Sequence, residues 1–154
     1  MNVSVRNMPR RFFILLSLFG LTLLVTIFVA IQSTTARVTF QNGPIVHVEI
    51  ERTEEDRERG LAGHLPLDDA HGMLFVWGYS GQQSFWMKGM TFPIDILWLR
   101  DGVVIGMVKN ASIPSENELS LPTYTSPGPV DAVLEVAAGF IDRYHITAEQ
   151  TVQY

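Results

Sequence analysis

Hydrophobic and polar residues alternate through Ile45-Val46-His47-Val48-Glu49-Ile50, with Val46, Val48 and Ile50 on one side and His47 and Glu49 on the other. A period of two marks a half-buried strand. Val38 to Phe40, ahead of an Asn42-Gly43-Pro44 turn, reads as its partner. Thr53 followed by Glu54, Glu55, Asp56, Arg57 and Arg59 predicts a short helix. Thr53 is its N-cap, acids sit at the positive end of the dipole, and Gly60 or Gly63 stops it. Strands are predicted over Met73 to Trp77, Gln83 to Met87, Ile94 to Leu99 and Val103 to Val108, with an Asp101-Gly102 hairpin signal between the last two. In Ile94 to Leu99 both alternating sets are apolar except for Asp95, so this strand is expected to be buried on both faces. A strand at Ala132 to Val136, an amphipathic helix at Ala137 to His145 and a strand at Gln150 to Tyr154 complete the pattern. Asn110 to Val130, with four prolines and little periodicity, reads as a long connection, which in a small domain is often functional. Many short strands with two small helices predict a mainly β fold, a compact antiparallel barrel or sandwich.

Ahead of this domain the pattern changes completely. Phe12 to Ile31 has no charge and only Ser17, Gly20, Thr22 and Thr26 among large apolar residues and one alanine. Such a helix spans the roughly 30 Å hydrocarbon core of a bilayer. Arg6, Arg10 and Arg11 precede it and only Arg37 follows closely, which predicts a cytoplasmic N-terminus and an outside domain. A cleaved signal peptide is the competing reading. The run exceeds the roughly 7–15 residues of a signal core, and Thr34-Thr35-Ala36 is a poor cleavage site, so an uncleaved anchor is expected. Residues 1–37 thus read as tail, transmembrane anchor and linker, and 38–154 as the domain.

Charge sharpens this division. From Val38 onward seven bases face sixteen acids, a balance of −9 against −5 for the whole chain. Such a surface repels phosphate backbones and argues against nucleic acid as a partner. There is no cysteine, so neither disulfides nor thiolates contribute, and the apolar core must supply the stability.

Four motifs stand out in order: Arg59-Gly60-Leu61-Ala62, Gly72-Met73-Leu74-Phe75, Phe85-Trp86-Met87-Lys88-Gly89-Met90 leading into Pro93-Ile94-Asp95, and Val133-Leu134-Glu135-Val136-Ala137-Ala138-Gly139. Together they resemble the prokaryotic family known as domain of unknown function 192, from about Val46 to the C-terminus. The resemblance implies a compact β-rich fold, commonly exported or membrane-anchored, and no established activity. Ala62 stands where that family usually has methionine, and Gly89-Met90 replaces Asn-Thr. His145-Ile146-Thr147-Ala148-Glu149-Gln150 replaces a Gly-Ile-x-x-Gly-Asp pattern.

Candidate chemistry centres on the third motif. Asp95, in line with Leu97 and Leu99, must be paired, hydrogen-bonded or protonated if buried. Lys88 or Arg59 is a candidate partner, and so are backbone N–H groups of the Gly89 to Pro93 turn. Glu135 shares a face with Val133, which suits either the solvated outer face of an edge strand or a second acid–base carboxylate beside Asp95. Met73, Met87 and Met90 with His71 and His64 have the soft ligand types of a Cu(I) site, but methionine is also ordinary core filler. No Gly-x-Ser-x-Gly elbow, His-Glu-x-x-His motif or phosphate-cradling glycine loop occurs.

The sequence therefore reads as a single-pass protein of the inner or plasma membrane whose domain faces the periplasm or exterior. The domain is expected to bind a small molecule, glycan or peptide, without a cofactor. Its ligand residues would be Trp86, Lys88, Asp95, Arg59 and Glu135, in a cleft closed by the Asn110 to Val130 connection. A hydrolase or lyase using Asp95 and Glu135, and a Cu(I)-handling domain, are the alternatives. Protease added to intact spheroplasts should digest the domain, and the mature chain should begin at Met1 or Asn2. Protection, or a mature chain starting near Arg37, would overturn the topology.

Overall fold

The structure is a computed structural model that describes residues 35–114 and 121–154. The apolar run at 12–31 lies outside the described residues. Among the described residues no helix is long and apolar enough to cross a membrane. The first strand, β1, covers Thr35–Phe40, three residues earlier than the boundary expected at Val38. It pairs antiparallel with β2 (Ile45–Glu51). Helix α1 (Glu54–Arg59) follows, with the Asp56 N–H donating to Thr53 Oγ1 at 3.2 Å and Gly60 closing the helix at φ 48°. The chain then enters β3 (His71–Gly81), which lies parallel to β2. The expected antiparallel sheet thus contains one parallel pair, because a helix placed between two neighbouring strands carries the chain back to the starting end.

The remaining elements are β4 (Ser84–Trp86), β5 (Ile94–Arg100), β6 (Val103–Ala111), β7 (Thr123–Thr125), β8 (Val130–Ala137), α2 (Phe140–Arg143) and β9 (Val152–Gln153). The β5–β6 hairpin turns at Asp101 and Gly102, both at positive φ, as a tight two-residue turn requires. Seven strands form one sheet in the order β6-β5-β8-β3-β2-β1-β9, while β4 and β7 make a separate ribbon. The large sheet curls into a half-barrel. Its two edges touch where the Glu149 N–H donates to the Val104 carbonyl at 2.8 Å and the Val152 N–H to that of Gly102 at 2.8 Å.

Curling gives the sheet two covered faces. One core joins Val38, Phe40, Val46, Leu74, Leu97, Val104, Leu134 and Val136 with Phe140, Ile141 and Ile146 from the C-terminal segment. The other joins Met73, Phe75, Met87, Ile94, Ile96, Trp98, Val133 and Leu61. Strands β5, β8 and β3, side by side in the interior of the sheet, contribute to both. The seven positions Met73, Phe75, Ile94, Ile96, Leu97, Leu134 and Val136 are all buried strand residues. Packing of β3 on β8 is close enough that a Cβ at Gly72 would lie 2.6 Å from the Glu135 carbonyl oxygen.

Two expectations change in detail. Asn110 to Val130 is not structureless: Thr123–Thr125 pairs with Ser84–Trp86, and buried Ser126 accepts from the Gln83 N–H at 3.0 Å and donates to the Gly128 carbonyl at 2.7 Å. Three strand residues are too few for a period to register in the sequence. The helix expected from Ala137 to His145 is only Phe140–Arg143, since β8 runs through Ala137 and Gly139 turns the chain at φ 82°. His145 (φ 53°) and Glu149 (φ 70°) hold left-handed backbone at the two positions where the resembled family has glycine.

Asp95 locks this arrangement. It is fully buried; Oδ1 accepts from the Asn110 N–H at 2.8 Å and Oδ2 from the Ile141 N–H at 2.9 Å. One carboxylate therefore ties the end of β6 and the first turn of α2 to β5. Asp95→Asn keeps one acceptor but turns an NH2 group toward the other N–H, and should cost about 1–3 kcal/mol in urea unfolding of the full chain. Leu134→Ala should cost about 2–5 kcal/mol. A loss below about 0.5 kcal/mol in either, the level of a surface change, would contradict these placements.

Candidate functional site

The second core is covered incompletely. Helix α1 and its following turn cover one side of it, the β4–β7 ribbon the other, and between them opens a cavity of about 260 Å³. From α1 and its turn come Arg57, Arg59 and Leu61; from β3, Phe75 and Trp77; from β4 and the turn after it, Phe85, Trp86, Met87 and Lys88; from β8, Glu135. Phe85 anchors the wall, edge-on to Phe75 at 4.8 Å, to Trp98 at 5.6 Å and to Trp77 at 6.3 Å between ring centroids. Such edge-to-face contacts fix ring orientation as well as burying area.

Glu135 forms the polar part of the floor. In the β8 register it stands opposite Met73 of β3 and Ile96 of β5, so both lateral neighbours on its face are buried and apolar. Its residue exposure is 5%, and its side chain has no hydrogen-bond partner among the described residues. No fully enclosed side-chain oxygen is left unpartnered among the described residues, so the Glu135 carboxyl faces the cavity. Desolvation in this setting raises its pKa from the ordinary 4.5 to about 8. At neutral pH the group is a carboxylic acid able to donate a hydrogen bond.

Charges of both signs line the mouth, Arg57, Arg59 and Lys88 together with Glu54 and Glu58 of α1. Lys88 follows β4 in a turn closed by the Met90 N–H on the Met87 carbonyl at 3.2 Å, with Gly89 at φ 73°. Its ammonium lies 5.7 Å from the Trp86 ring centroid, and Trp86 is half exposed. Arg57 sits 5.3 Å over Trp77, where it also pairs with Glu54 at 2.9 Å and donates to the Val76 carbonyl at 3.3 Å. Arg59 is paired with Asp56. Ala62 and Gly89, two of the departures from the resembled family, meet here: a Cβ on Gly89 would lie 3.2 Å from that of Ala62.

Four of the five residues named from the sequence, Trp86, Lys88, Arg59 and Glu135, therefore border one cavity, while Asp95 does not. Asp95 pairs in register with Val136, and Glu135 with Ile96, so the two carboxylates project from opposite faces of the sheet. They cannot act as an acid–base pair. Lys88 and Asp95 make no ion pair, and both Asp95 oxygens are instead held by backbone N–H groups, of Asn110 and Ile141. Glu135 is also no edge-strand residue: β8 runs between β5 and β3.

Of the soft-ligand set, Met73, Met87 and Met90 pack in or against the second core, while His64 and exposed His71, which hydrogen-bonds Asp68 at 2.6 Å, line a second cavity of about 460 Å³ that Met73 also borders. Among the described residues no group of three or more His, Asp or Glu is arranged to hold a metal ion. The Asn110 to Val130 connection braces β4 from behind through β7, and its described part does not line the cavity. Arg57, Trp77 and Phe85 line the cavity but are not among the ligand residues expected from the sequence. A signal for Arg57 existed: it lies two residues from Arg59 on the predicted helix, so a helix laid across a cleft would present one inward.

Comparison with known proteins gives a family and a fold. The family described as Uncharacterized ACR, domain of unknown function 192, matches residues 36–154. A crystal structure from Sinorhizobium meliloti 1021, described provisionally as a transcription regulator, is 28% identical with a TM-score of 0.71, covering 80% of this chain and 95% of its own. One from Novosphingobium aromaticivorans DSM 12444, a protein of unknown function, is 26% identical with a TM-score of 0.69, covering 78% of this chain and 85% of its own. No curated protein matches the sequence.

The Glu135 environment has a measurable consequence. The fold disfavours the charged form, so between about 4.5 and 8 the native chain keeps a proton that the unfolded chain has released. Stability from this group is intact below the unfolded pKa, falls by about 1.4 kcal/mol per pH unit as pH rises toward the folded one, and is level above it. Glu135→Gln should flatten that slope and make the chain more stable than the parent at pH 8, by about 2–5 kcal/mol. Parallel stability profiles for parent and variant from pH 5 to 9 would contradict the burial of an uncompensated carboxyl.

Proposed function

The chain belongs to the Uncharacterized ACR family, whose description assigns no chemistry, and from that premise we propose that its β-rich domain is a binding module for a small molecule, a glycan fragment or a peptide segment. The ligand enters the cavity between α1 and β4. In this reading the apolar segment at 12–31 tethers the module to the inner or plasma membrane, and the domain works in the periplasm or outside the cell. The observation that carries the proposal is the meeting of Trp86, Lys88 and Arg59 with the unpartnered floor carboxyl of Glu135. Its lining joins aromatic rings and apolar side chains with convergent charged and polar groups, and such groups fix a ligand's orientation and specificity. The excess of acids from Val38 onward opposes a phosphate-backbone partner for this domain.

A second reading rests on Glu135 alone. A buried carboxyl whose pKa stands near 8 at the floor of a cavity is poised as a general acid near neutral pH. It retains the hydrolase or lyase alternative in a one-carboxylate form, with no role for Asp95.

Ligand screening on the purified full chain, read from the indole N–H signals of Trp77 and Trp86, tests the binding module. Compounds that bind should shift both signals. Trp86→Ala should weaken them about tenfold through lost ring contact. Because Trp86 is half exposed, the variant's stability should stay within about 0.5 kcal/mol of the parent. Binding that ignores Trp86→Ala and maps to the second cavity would sink the proposal, whereas turnover of a bound compound abolished by Glu135→Gln would favour the acid-catalyst reading.

A further inference from the structure

Resting on the reading of this cavity as a ligand site, we propose that its ligand is a small organic anion, a ring or short apolar body bearing a carboxylate, which sets its charge at Lys88 and offers a hydrogen-bond-accepting oxygen to Glu135. The floor argues for the acceptor. Glu135 is 5% exposed, has no partner among the described residues and faces the cavity. Its oxygens open on the cavity, so a ligand oxygen placed there takes up the hydrogen bond that the protein leaves unmade. In its neutral form Glu135 donates, and a ligand that accepts is the complement.

The mouth argues for the negative charge. Arg57 is committed to Glu54 and to the Val76 carbonyl, and Arg59 to Asp56. Lys88 has no carboxylate partner among the described residues, and its ammonium is steadied over the Trp86 face. It is the cation at this mouth left to meet a ligand charge. The opposite polarity, an ammonium ligand caged by the aromatic rings and an ionised Glu135, fits less well. Both tryptophans at the site already carry a cation, Lys88 on Trp86 and Arg57 on Trp77, and a ligand cation would meet both. At about 260 Å³ the space falls just below the usual range for drug-sized ligands, which limits the occupant to a single ring or short chain.

The site also has a built-in pH dependence. The charged groups bordering the cavity with Glu135 are Glu54, Arg57, Glu58 and Arg59 from α1 and Lys88 from the β4 turn; β3 and β5 present only apolar residues there. As pH rises through about 8 the Glu135 donor is lost and a negative charge appears beneath the ligand, so affinity falls.

The test uses the purified full chain and matched probes: phenylacetate, phenylacetamide and phenethylamine, titrated while the Trp77 and Trp86 indole signals are followed. Phenylacetate should bind about tenfold or more tightly than the amide, the gain of a hydrogen bond to a charged group, and the amine should bind worst. Lys88→Met should erase the difference between acid and amide. Glu135→Gln, which keeps a donor, should still bind phenylacetate but lose the decline in affinity between pH 7 and 9. Glu135→Leu should bind poorly at every pH. Equal or tighter binding of the amide or the amine, or an acid–amide difference that survives Lys88→Met, overturns the anion inference and leaves the cavity as a ligand site of other polarity. Indole signals unmoved by any of the three probes overturn the anion inference. A wider neutral, cationic and glycan panel that also leaves them unmoved overturns the ligand site itself.

Discussion

Both faces of β5 and β8 are covered, and that constraint governs everything polar placed on them. A carboxylate on either strand has no route to bulk water unless the fold provides a partner or an opening. The two fully covered carboxyl groups of these strands, Asp95 and Glu135, show one of each solution. Asp95 faces the core inside the curled sheet and is satisfied by two backbone N–H groups, from Asn110 and Ile141. Glu135, one position out of step across the strand pair, faces the other core and is satisfied by no protein group among the described residues. The first is a structural clamp. The second opens onto the cavity.

The cavity itself follows from how the second face is roofed. A six-residue helix and a two-stranded ribbon of three residues per strand are too small to cover the apolar surface of β3, β5 and β8. Three edge-on ring contacts of Phe85, to Phe75 and Trp77 of β3 and Trp98 of β5, hold the ribbon on the sheet, and the gap between ribbon and helix opens over Glu135. Cations then collect at the gap for ordinary reasons. Arg57 and Arg59 occupy the last turn of α1, where the helix dipole favours positive charge, and the Lys88 turn places an ammonium on the exposed Trp86.

Retaining an acid in such a place lowers the stability of the empty fold at neutral pH, since a hydrophobic residue of similar size would face Met73 and Ile96 without desolvating a charge. Buried titratable groups of this kind gather at sites that work on other molecules, where stability is sacrificed to function. Asp95 shows the contrast. Its carboxylate is equally deep, yet both oxygens are engaged by the chain that surrounds them, so nothing remains for a ligand.

Sequence by itself determined the local elements whose signals are short-range. Period-two alternation placed β2 and the double-faced β5, the Thr53 cap placed α1, and Asp101-Gly102 placed the β5–β6 hairpin. The same reasoning showed that Asp95 must be neutralised or bonded, because an apolar strand on both faces leaves a carboxylate no other choice. Tertiary structure alone decided what meets what. Nothing local reveals that β8 is central, so Glu135 read equally well as a solvated edge residue. Nothing local shows that Asn110 and Ile141, fifteen and forty-six residues away, supply the N–H groups for Asp95. The three-residue β7 is too short to carry a period. The parallel pairing of β2 and β3, the curl that joins β6 to β9, and the face each carboxylate occupies all depend on strand order. Strand order is set by the burial of two cores at once, which no window of neighbouring residues contains.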